Sequence, residues 1–457
     1  MTTNTHEGDV RSTIESLHSV LGDRAVVTSG PRYEAACAVW NAAVRARPAI
    51  VVVCRSTNDV RVAVDHAREA RIPLSVRGGG YDWAGRSLKD RGLVVDLSEM
   101  REVSVEGNVA IVAGGTTISD VLDAAETHGM SAATGTVGAV GMAGLTLGGG
   151  YGRLSGIAGL AADNLLGATV VLADGSVVVT DVDHEPDLLW ALRGAGGNFG
   201  VVTEMRIRLH PVPNVITGLI TFSRDGAERV LARLRSLMEQ APDEFTPIFG
   251  LMAGPEGPLL YVSPGWTGDT EIGERFMDRI RSLGEPVMDQ VSTMPVAASV
   301  HLVDEQFGPG RFAAIRTRSV PELSDPVIAA LLEAADRFPS AGCAVNLHHL
   351  HGAATRPSPD ATAFSLRRDH FTVEILPSWE SGFGTAELIW ADDLARSLDQ
   401  YSFAGGYANL LGPDDAERAA MSYGDNAARV LEVKDRYDPM DMFTALTLPS
   451  RSTLDRS

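Results

Sequence analysis

The backbone of this sequence offers chemistry in three glycine-dense segments. Arg77-Gly78-Gly79-Gly80 follows an apolar strand pattern, and consecutive glycines let successive N–H groups turn inward on an anion, a pyrophosphate being the natural occupant. A glycine triplet standing alone would equally serve a tight turn. The second segment, Gly141-Met142-Ala143-Gly144-Leu145-Thr146-Leu147-Gly148-Gly149-Gly150-Tyr151-Gly152, holds too much glycine for ordinary packing and lets backbone approach a flat ligand closely. The third, Arg193-Gly194-Ala195-Gly196-Gly197-Asn198-Phe199-Gly200, imitates a dinucleotide fingerprint but places Phe199 where the last glycine belongs. From Val201 to Leu209 the residues alternate as a strand, so the helix N-terminus that a Rossmann site requires is missing.

The elements that must position these loops follow from periodicity. Residues Ala49 to Val76 read as strand, helix, strand: an apolar run at Ile50 to Cys54, then Val60, Val64 and Ala67 on one helical face behind Thr57, Asn58 and Asp59 as candidate N-caps, then Leu74 to Val76. A strand from Leu93 to Leu97 precedes a hairpin of Val103 to Val105 and Val109 to Val112, and a helix from Ile118 to His128 stops at Gly129. The stretch Gly135 to Gly159 reads as loop, and Gly167 to Thr180 as two strands around Asp174-Gly175. Beyond Pro211 and Pro213 come longer helices, at Ala227 to Glu239 and Glu271 to Leu283. The stretch from Asp414 returns to helix, with Asn426, Val430, Val433 and Tyr437 spaced along it. The chain therefore divides into residues 1–212, 213–413 and 414–457.

Composition excludes several classes of function. At 457 residues the chain exceeds what one core usually holds, and 44% apolar with 21% charged residues is ordinary for a soluble globular protein. Its 59 acidic against 39 basic residues leave a formal charge of −20, which repels phosphate backbones and anionic lipid and excludes nucleic acid as a partner. No run approaches the ~20 apolar residues of a membrane helix. Met1 to Val20 lack the basic start and apolar stretch of a signal peptide, so cytoplasmic residence is expected. Cys37, Cys54 and Cys343 have no metal-like spacing and read as small buried apolar residues. Of His348, His349 and His351, only the last two share a face of a strand, and no carboxylate nearby completes the set; no metal site is expected.

Taken in order, the segments resemble the bacterial berberine-bridge-like branch of the FAD-linked oxidases, within the vanillyl-alcohol-oxidase and p-cresol-methylhydroxylase (PCMH) superfamily. The resemblance is carried by Tyr33 to Asn41, Arg77 to Gly80, Val95-Asp96-Leu97-Ser98, Thr134 to Gly152, Asp163-Asn164-Leu165 and Ala173-Asp174-Gly175. It continues through Pro186 to Gly194, Gly196 to Thr203, Tyr407-Ala408-Asn409 and Tyr423 to Pro439. It implies an α+β fold: a PCMH-type FAD-binding domain of two α+β subdomains, and a substrate domain whose antiparallel sheet is backed by helices. The closing segment would return to the first domain. FAD would lay its pyrophosphate on Arg77, Gly78, Gly79 and Gly80. The Gly141, Gly144, Gly148, Gly149, Tyr151 and Gly152 loop and the Asn198, Gly200 and Val201 backbone would wrap the rest.

Two positions depart from that pattern. Where the family carries a histidine bonded to the flavin 8α-methyl, this chain has Tyr81, and where many members carry a second, cysteinyl link it has Val137. Tyrosine, with an ordinary pKa near ~10 against ~6.5 for histidine, is the poorer nucleophile at neutral pH, so dissociable FAD is expected, with Tyr81 packed against the dimethylbenzene edge. An 8α-O-tyrosyl bond is the alternative. Tyr407 and Asn409 match the family's Tyr-x-Asn motif, Tyr407 standing where members place a catalytic tyrosine. A neighbouring cation or donor would lower its pKa, whereas a backbone-satisfied buried tyrosine would do nothing. Between Phe371 and Leu376, alternation puts Thr372, Glu374 and Leu376 on one face, making Glu374 either a base or a solvated strand carboxylate. His351 either enters the substrate pocket or fills space.

The implied activity is FAD-dependent oxidation of a small organic or natural-product substrate, by hydride transfer to flavin N5 with dioxygen as electron acceptor. Specialised metabolism such as antibiotic biosynthesis is the expected setting. A redox-neutral cyclase or isomerase on the same scaffold, and an inert flavin- or ligand-binding protein, are the alternatives that Tyr81 keeps open.

Overall fold

Parallel strands need a crossover, and helix Thr57–Glu69 supplies it between Ile50–Val53 and Leu74–Arg77. Both strands pair in parallel with Leu93–Asp96, and the short Val26–Val27 closes the far edge antiparallel. The computed structural model describes residues 2–22 and 25–450. The crossover helix is capped by Ser56, whose hydroxyl accepts from the Asp59 N–H at 3.2 Å. Thr57, Asn58 and Asp59 thus lie inside the helix: the extended backbone needed to turn a side-chain oxygen back on the first turn is found one residue earlier.

The second sheet is antiparallel and built around one long strand, Val201–His210, flanked by Val109–Ala113 and Leu165–Val171, with Val103–Glu106 and Val177–Thr180 outside them. Its odd-numbered residues from Val201 to Leu209 are buried while Glu204 and Arg208 are exposed, the period expected of a half-solvated strand. Helix Ala427–Tyr437 packs onto Pro186–Leu192, and its Val430, Val433 and Tyr437 join the core that holds Leu188, Trp190 and Phe199. The buried Lys434 ammonium ties this helix down, donating to the carbonyls of Asn198 (2.8 Å) and Phe443 (2.6 Å) and to Asp438 (2.6 Å).

A third, seven-stranded antiparallel sheet runs in the order Pro286–Asp289, Ile220–Ser223, Gly257–Ser263, Ile248–Gly254, Ala344–Leu350, His370–Leu376, Arg316–Val320. One face packs through Phe249, Leu251, Val345, Leu347, Val373 and Ile375 onto helices Ala227–Met238, Asp325–Ala335 and Thr385–Leu398. The opposite face looks onto the glycine loops.

Two local expectations need correction, and one element went unread. The Gly135 to Gly159 stretch is not all loop: Met142–Leu147 and Ser155–Ala158 are short helices, the first buried through Met142, Ala143, Thr146 and Leu147, a helical spacing that interleaved glycines conceal. Cys37 is only half-buried, unlike Cys54 and Cys343. The opening residues form a helix, Thr2–Leu21, for which no pattern was read. Among the described residues no helix is long and apolar enough to cross a membrane.

Candidate active site

Between the glycine loops and the free face of the seven-stranded sheet lies a cavity of about 860 Å³, in the upper part of the ~300–1,000 Å³ range of ligand pockets. Gly78, Gly79, Gly80, Gly141, Gly144 and Gly200 line it, with Val137 and Val201. The first two glycine segments touch back to back: a Cβ on Gly79 would stand 2.5 Å from the Gly141 nitrogen, and one on Gly141 would stand 2.5 Å from that of Gly79. Among the described residues the N–H groups of Gly79, Gly80 and Tyr81, all three lining the cavity, have no intramolecular acceptor and are unspent. Such a cradle fits the diphosphate of the dinucleotide that the sequence implies. Gly79→Ala must therefore push the two loops apart. At ~1–3 kcal/mol for such overpacking, flavin affinity is expected to fall roughly 5- to 150-fold, read as flavin retained per mole of purified protein.

Other glycines of the second segment serve side chains instead. A Cβ on Gly148 would fall 2.3 Å from the Asn409 amide, and one on Gly149, whose φ is +129°, would fall 2.9 Å from the Tyr407 ring. Gly152 lies against the Thr134 carbonyl, 2.1 Å from where its Cβ would stand. These three make room for the Tyr-x-Asn motif and for a neighbouring loop and do not line the cavity. Nor does Arg77, whose guanidinium bonds both Asp96 carboxylate oxygens at 3.1 Å and so is not free for an anion. Asp96, which also accepts from the Ser98 N–H, thus holds the strand end beneath the cradle. The buried Asn198 side chain clamps the closing segment, its Oδ1 accepting from the N–H groups of Ala445 (2.7 Å) and Leu446 (3.1 Å).

A polar cluster occupies the sheet side of the cavity. Strand register sets Asn346 opposite Glu374 and His348 opposite Thr372, all on the face away from the helices. The Tyr151 hydroxyl donates to Glu374 at 2.6 Å, His348 Nε2 stands 3.3 Å from the same carboxylate, and Asn346 Nδ2 donates to it at 3.4 Å. The Glu374 side chain is only 13% exposed and fully engaged with neighbours, which runs against the solvated reading. Burial alone would raise its pKa, but His348, Tyr151 and Asn346 outweigh it and hold the carboxyl below the usual glutamate range.

Tyr407 is buried beside this cluster, its ring 4.9 Å from that of Tyr151. Its oxygen accepts from the Gly150 N–H at 2.9 Å and from Asn409 Nδ2 at 3.1 Å, and Asn409 also donates to the Gly144 carbonyl. Those donors favour the phenolate, yet burial is stronger and pushes the phenol up to about 12. Of the two readings open for this residue the structure favours the buried tyrosine satisfied by its neighbours: the Gly150 and Asn409 donors do not offset desolvation, and the charge of Glu374 adds to it.

His351 does not line the cavity. It stacks on His349 at 4.4 Å and faces Thr246, and burial followed by the charge of His349 takes its pKa down to about 4. His349 and His351 share the helix-side face, as alternation requires, and the same geometry removes His351 from the substrate pocket.

Tyr81 lines the opposite part of the cavity, stacked on Trp40 at 5.2 Å with 23° between planes, its hydroxyl donating to the Phe307 carbonyl. Burial, then the charge of Asp304, raises its pKa well above that of free tyrosine.

The sequence reading passed over His348, Asn346 and Arg153 of the lining. For His348 the signal was present, since alternation that pairs His349 with His351 sends His348 to the other face. Only the register shows Glu374 waiting there.

Residues 48–181 match a family model described as FAD binding domain. The chain is 31% identical over 430 residues to (R)-6-hydroxynicotine oxidase of Paenarthrobacter nicotinovorans, covering 90% of this chain and 93% of that one. It is 31% identical over 446 residues to the uncharacterised FAD-linked oxidoreductase YgaK of Bacillus subtilis, covering 93% and 96%. The crystal structure of 6-hydroxy-D-nicotine oxidase from Arthrobacter nicotinovorans superposes with a TM-score of 0.85 at 29% identity, over 93% of this chain and 97% of that one. A berberine bridge enzyme variant in complex with (S)-reticuline gives 0.85 at 20% identity over 97% and 99%, a likeness of fold alone.

Proposed function

The chain belongs to the FAD-linked oxidoreductases of berberine-bridge-like, PCMH-type architecture, and on that footing we propose that it oxidises a small organic substrate with dissociable FAD, Glu374 serving as the base and dioxygen as the acceptor. The observation that carries this reading is the half-buried Glu374 carboxylate on the cavity wall, kept ionised by His348 and Tyr151. When bound, FAD supplies the hydride acceptor and the route by which the electron pair leaves. The Gly78 to Gly80 and Gly141 to Gly144 backbones hold it. The proton of a substrate O–H or N–H goes to a Glu374 oxygen, since that carboxylate lies on the sheet side of the cavity and is held below the usual glutamate range. Tyr407, protonated at neutral pH, donates a hydrogen bond and abstracts nothing.

In this reading residues 1–212 and 414–457 hold the cofactor and residues 213–413 carry the substrate wall. The test is anaerobic mixing of the flavin-loaded protein with candidate alcohols and amines: bleaching of the flavin absorbance is the expected result. Because the Glu374 pKa is depressed, the bleaching rate should stay flat through the neutral range and fall only below the ordinary glutamate value of ~4.3. Product formed without bleaching or oxygen uptake would mean redox-neutral chemistry instead.

A further inference from the structure

Among the described residues, three of the four buried arginines and lysines are matched by carboxylates. Arg367 bonds Asp163, Lys434 bonds Asp438 and Arg318 bonds Asp399. Arg153 breaks the rule. It follows the second glycine segment, is only 7% exposed, and lines the cavity, yet among the described residues no carboxylate lies within ion-pair distance. Its guanidinium makes two bonds at 3.2 Å, to the Pro264 carbonyl and the Ser263 hydroxyl, both at the long end of the normal range, and its Nε has no partner. Burial takes its pKa down to about 10, which still leaves it charged at neutral pH. An isolated buried cation is costly unless something compensates it.

The surroundings indicate what the compensation is. Ser263 ends a strand whose Tyr261 hydroxyl donates to Asn346 Oδ1 at 2.5 Å, and Asn346 in turn donates to Glu374. Arg153 therefore stands at one end of a polar row across the sheet, and the proposed base stands at the other. Three strand spacings separate the Ser263 strand from the Glu374 strand, about 14 Å at ~4.8 Å each. Ile248, Met252 and Leu219 give the space between an apolar surface.

Resting on the reading that this cavity takes the substrate, we propose that Arg153 and Ser263 form a carboxylate-binding subsite, so that the substrate is an acid whose carboxylate lies on the order of 14 Å from the carbon that is oxidised beside Glu374. Arg pairs with carboxylate through charge-assisted N–H bonds, and the donors left to Arg153 are its unpartnered Nε–H and the Nη hydrogens not spent on Pro264 and Ser263.

The experiment is calorimetry on the flavin-loaded protein with 4-phenylbutyrate and its isosteric amide, 4-phenylbutanamide. In the unaltered chain the acid should bind at least tenfold more tightly than the amide. Arg153→Met should remove that preference, and Arg153→Lys, which keeps the charge but not the guanidinium donors, should retain part of it. Equal binding of acid and amide by the unaltered chain overturns the proposal without any variant. So does a preference that survives in Arg153→Met, the more so if that variant changes sulfite reactivity of the flavin, which would place the guanidinium beside the cofactor. The measurement needs no turnover. Acid preference in a protein whose flavin no substrate bleaches leaves the subsite standing and sinks the oxidase reading; equal binding in a protein that bleaches with neutral alcohols does the reverse.

Discussion

Glu374→Gln is expected to slow flavin reduction by roughly 10²- to 10⁴-fold, the usual worth of a positioned general base. Glutamine keeps the volume and can still accept from Tyr151 and stand beside His348, so folding and flavin content should be unchanged and the loss should fall on the chemical step. The rate is read by anaerobic stopped-flow with any substrate that bleaches the unaltered protein. Tyr407→Phe is the contrast. It leaves the Gly150 N–H without its acceptor, which costs about 1–3 kcal/mol of stability, but removes no base, because the phenol is already protonated at neutral pH. If Tyr407→Phe were the crippling change and Glu374→Gln kept its rate within a few-fold, the base would be misassigned.

Acid precipitation should release the yellow colour into the supernatant as FAD. A covalent bond from Tyr81 needs the phenolate, and each contact of that residue opposes it: the hydroxyl is spent on the Phe307 carbonyl, the ring is held against Trp40, and burial together with Asp304 raises its pKa. Tyr81 closes the cavity wall where the resemblance places a link. Colour that stayed with the pellet would show a tyrosyl or other bond formed despite this environment and would end the dissociable-FAD reading.

Much of the fold was legible because the cues were local. A period of two along Val201 to Leu209, an apolar run with a capped helix from Ile50 to Glu69, and the Asp174-Gly175 turn each concern residues within a few positions of one another. Where reading failed, the cue was hidden or displaced. Glycines broke the pattern of Met142–Leu147, and the cap of the crossover helix lay one residue before the candidates.

The site divides along the same line. Which glycine segments could cradle a diphosphate, that position 81 is tyrosine, and that His348 faces away from the side His349 and His351 share are properties of the chain order, determined by backbone freedom and by the two-residue period of a strand. What those residues face was decided only by the tertiary structure. Register between Ala344–Leu350 and His370–Leu376 brings Asn346 and His348 around Glu374. The Tyr-x-Asn segment, more than 250 residues after the glycine loop, presses onto Gly148 and Gly149. Desolvation then set the chemistry, raising Tyr407 and Tyr81 and leaving Arg153 charged without a carboxylate, because the cost of burying a group depends on every atom packed around it and few of those are its neighbours in sequence.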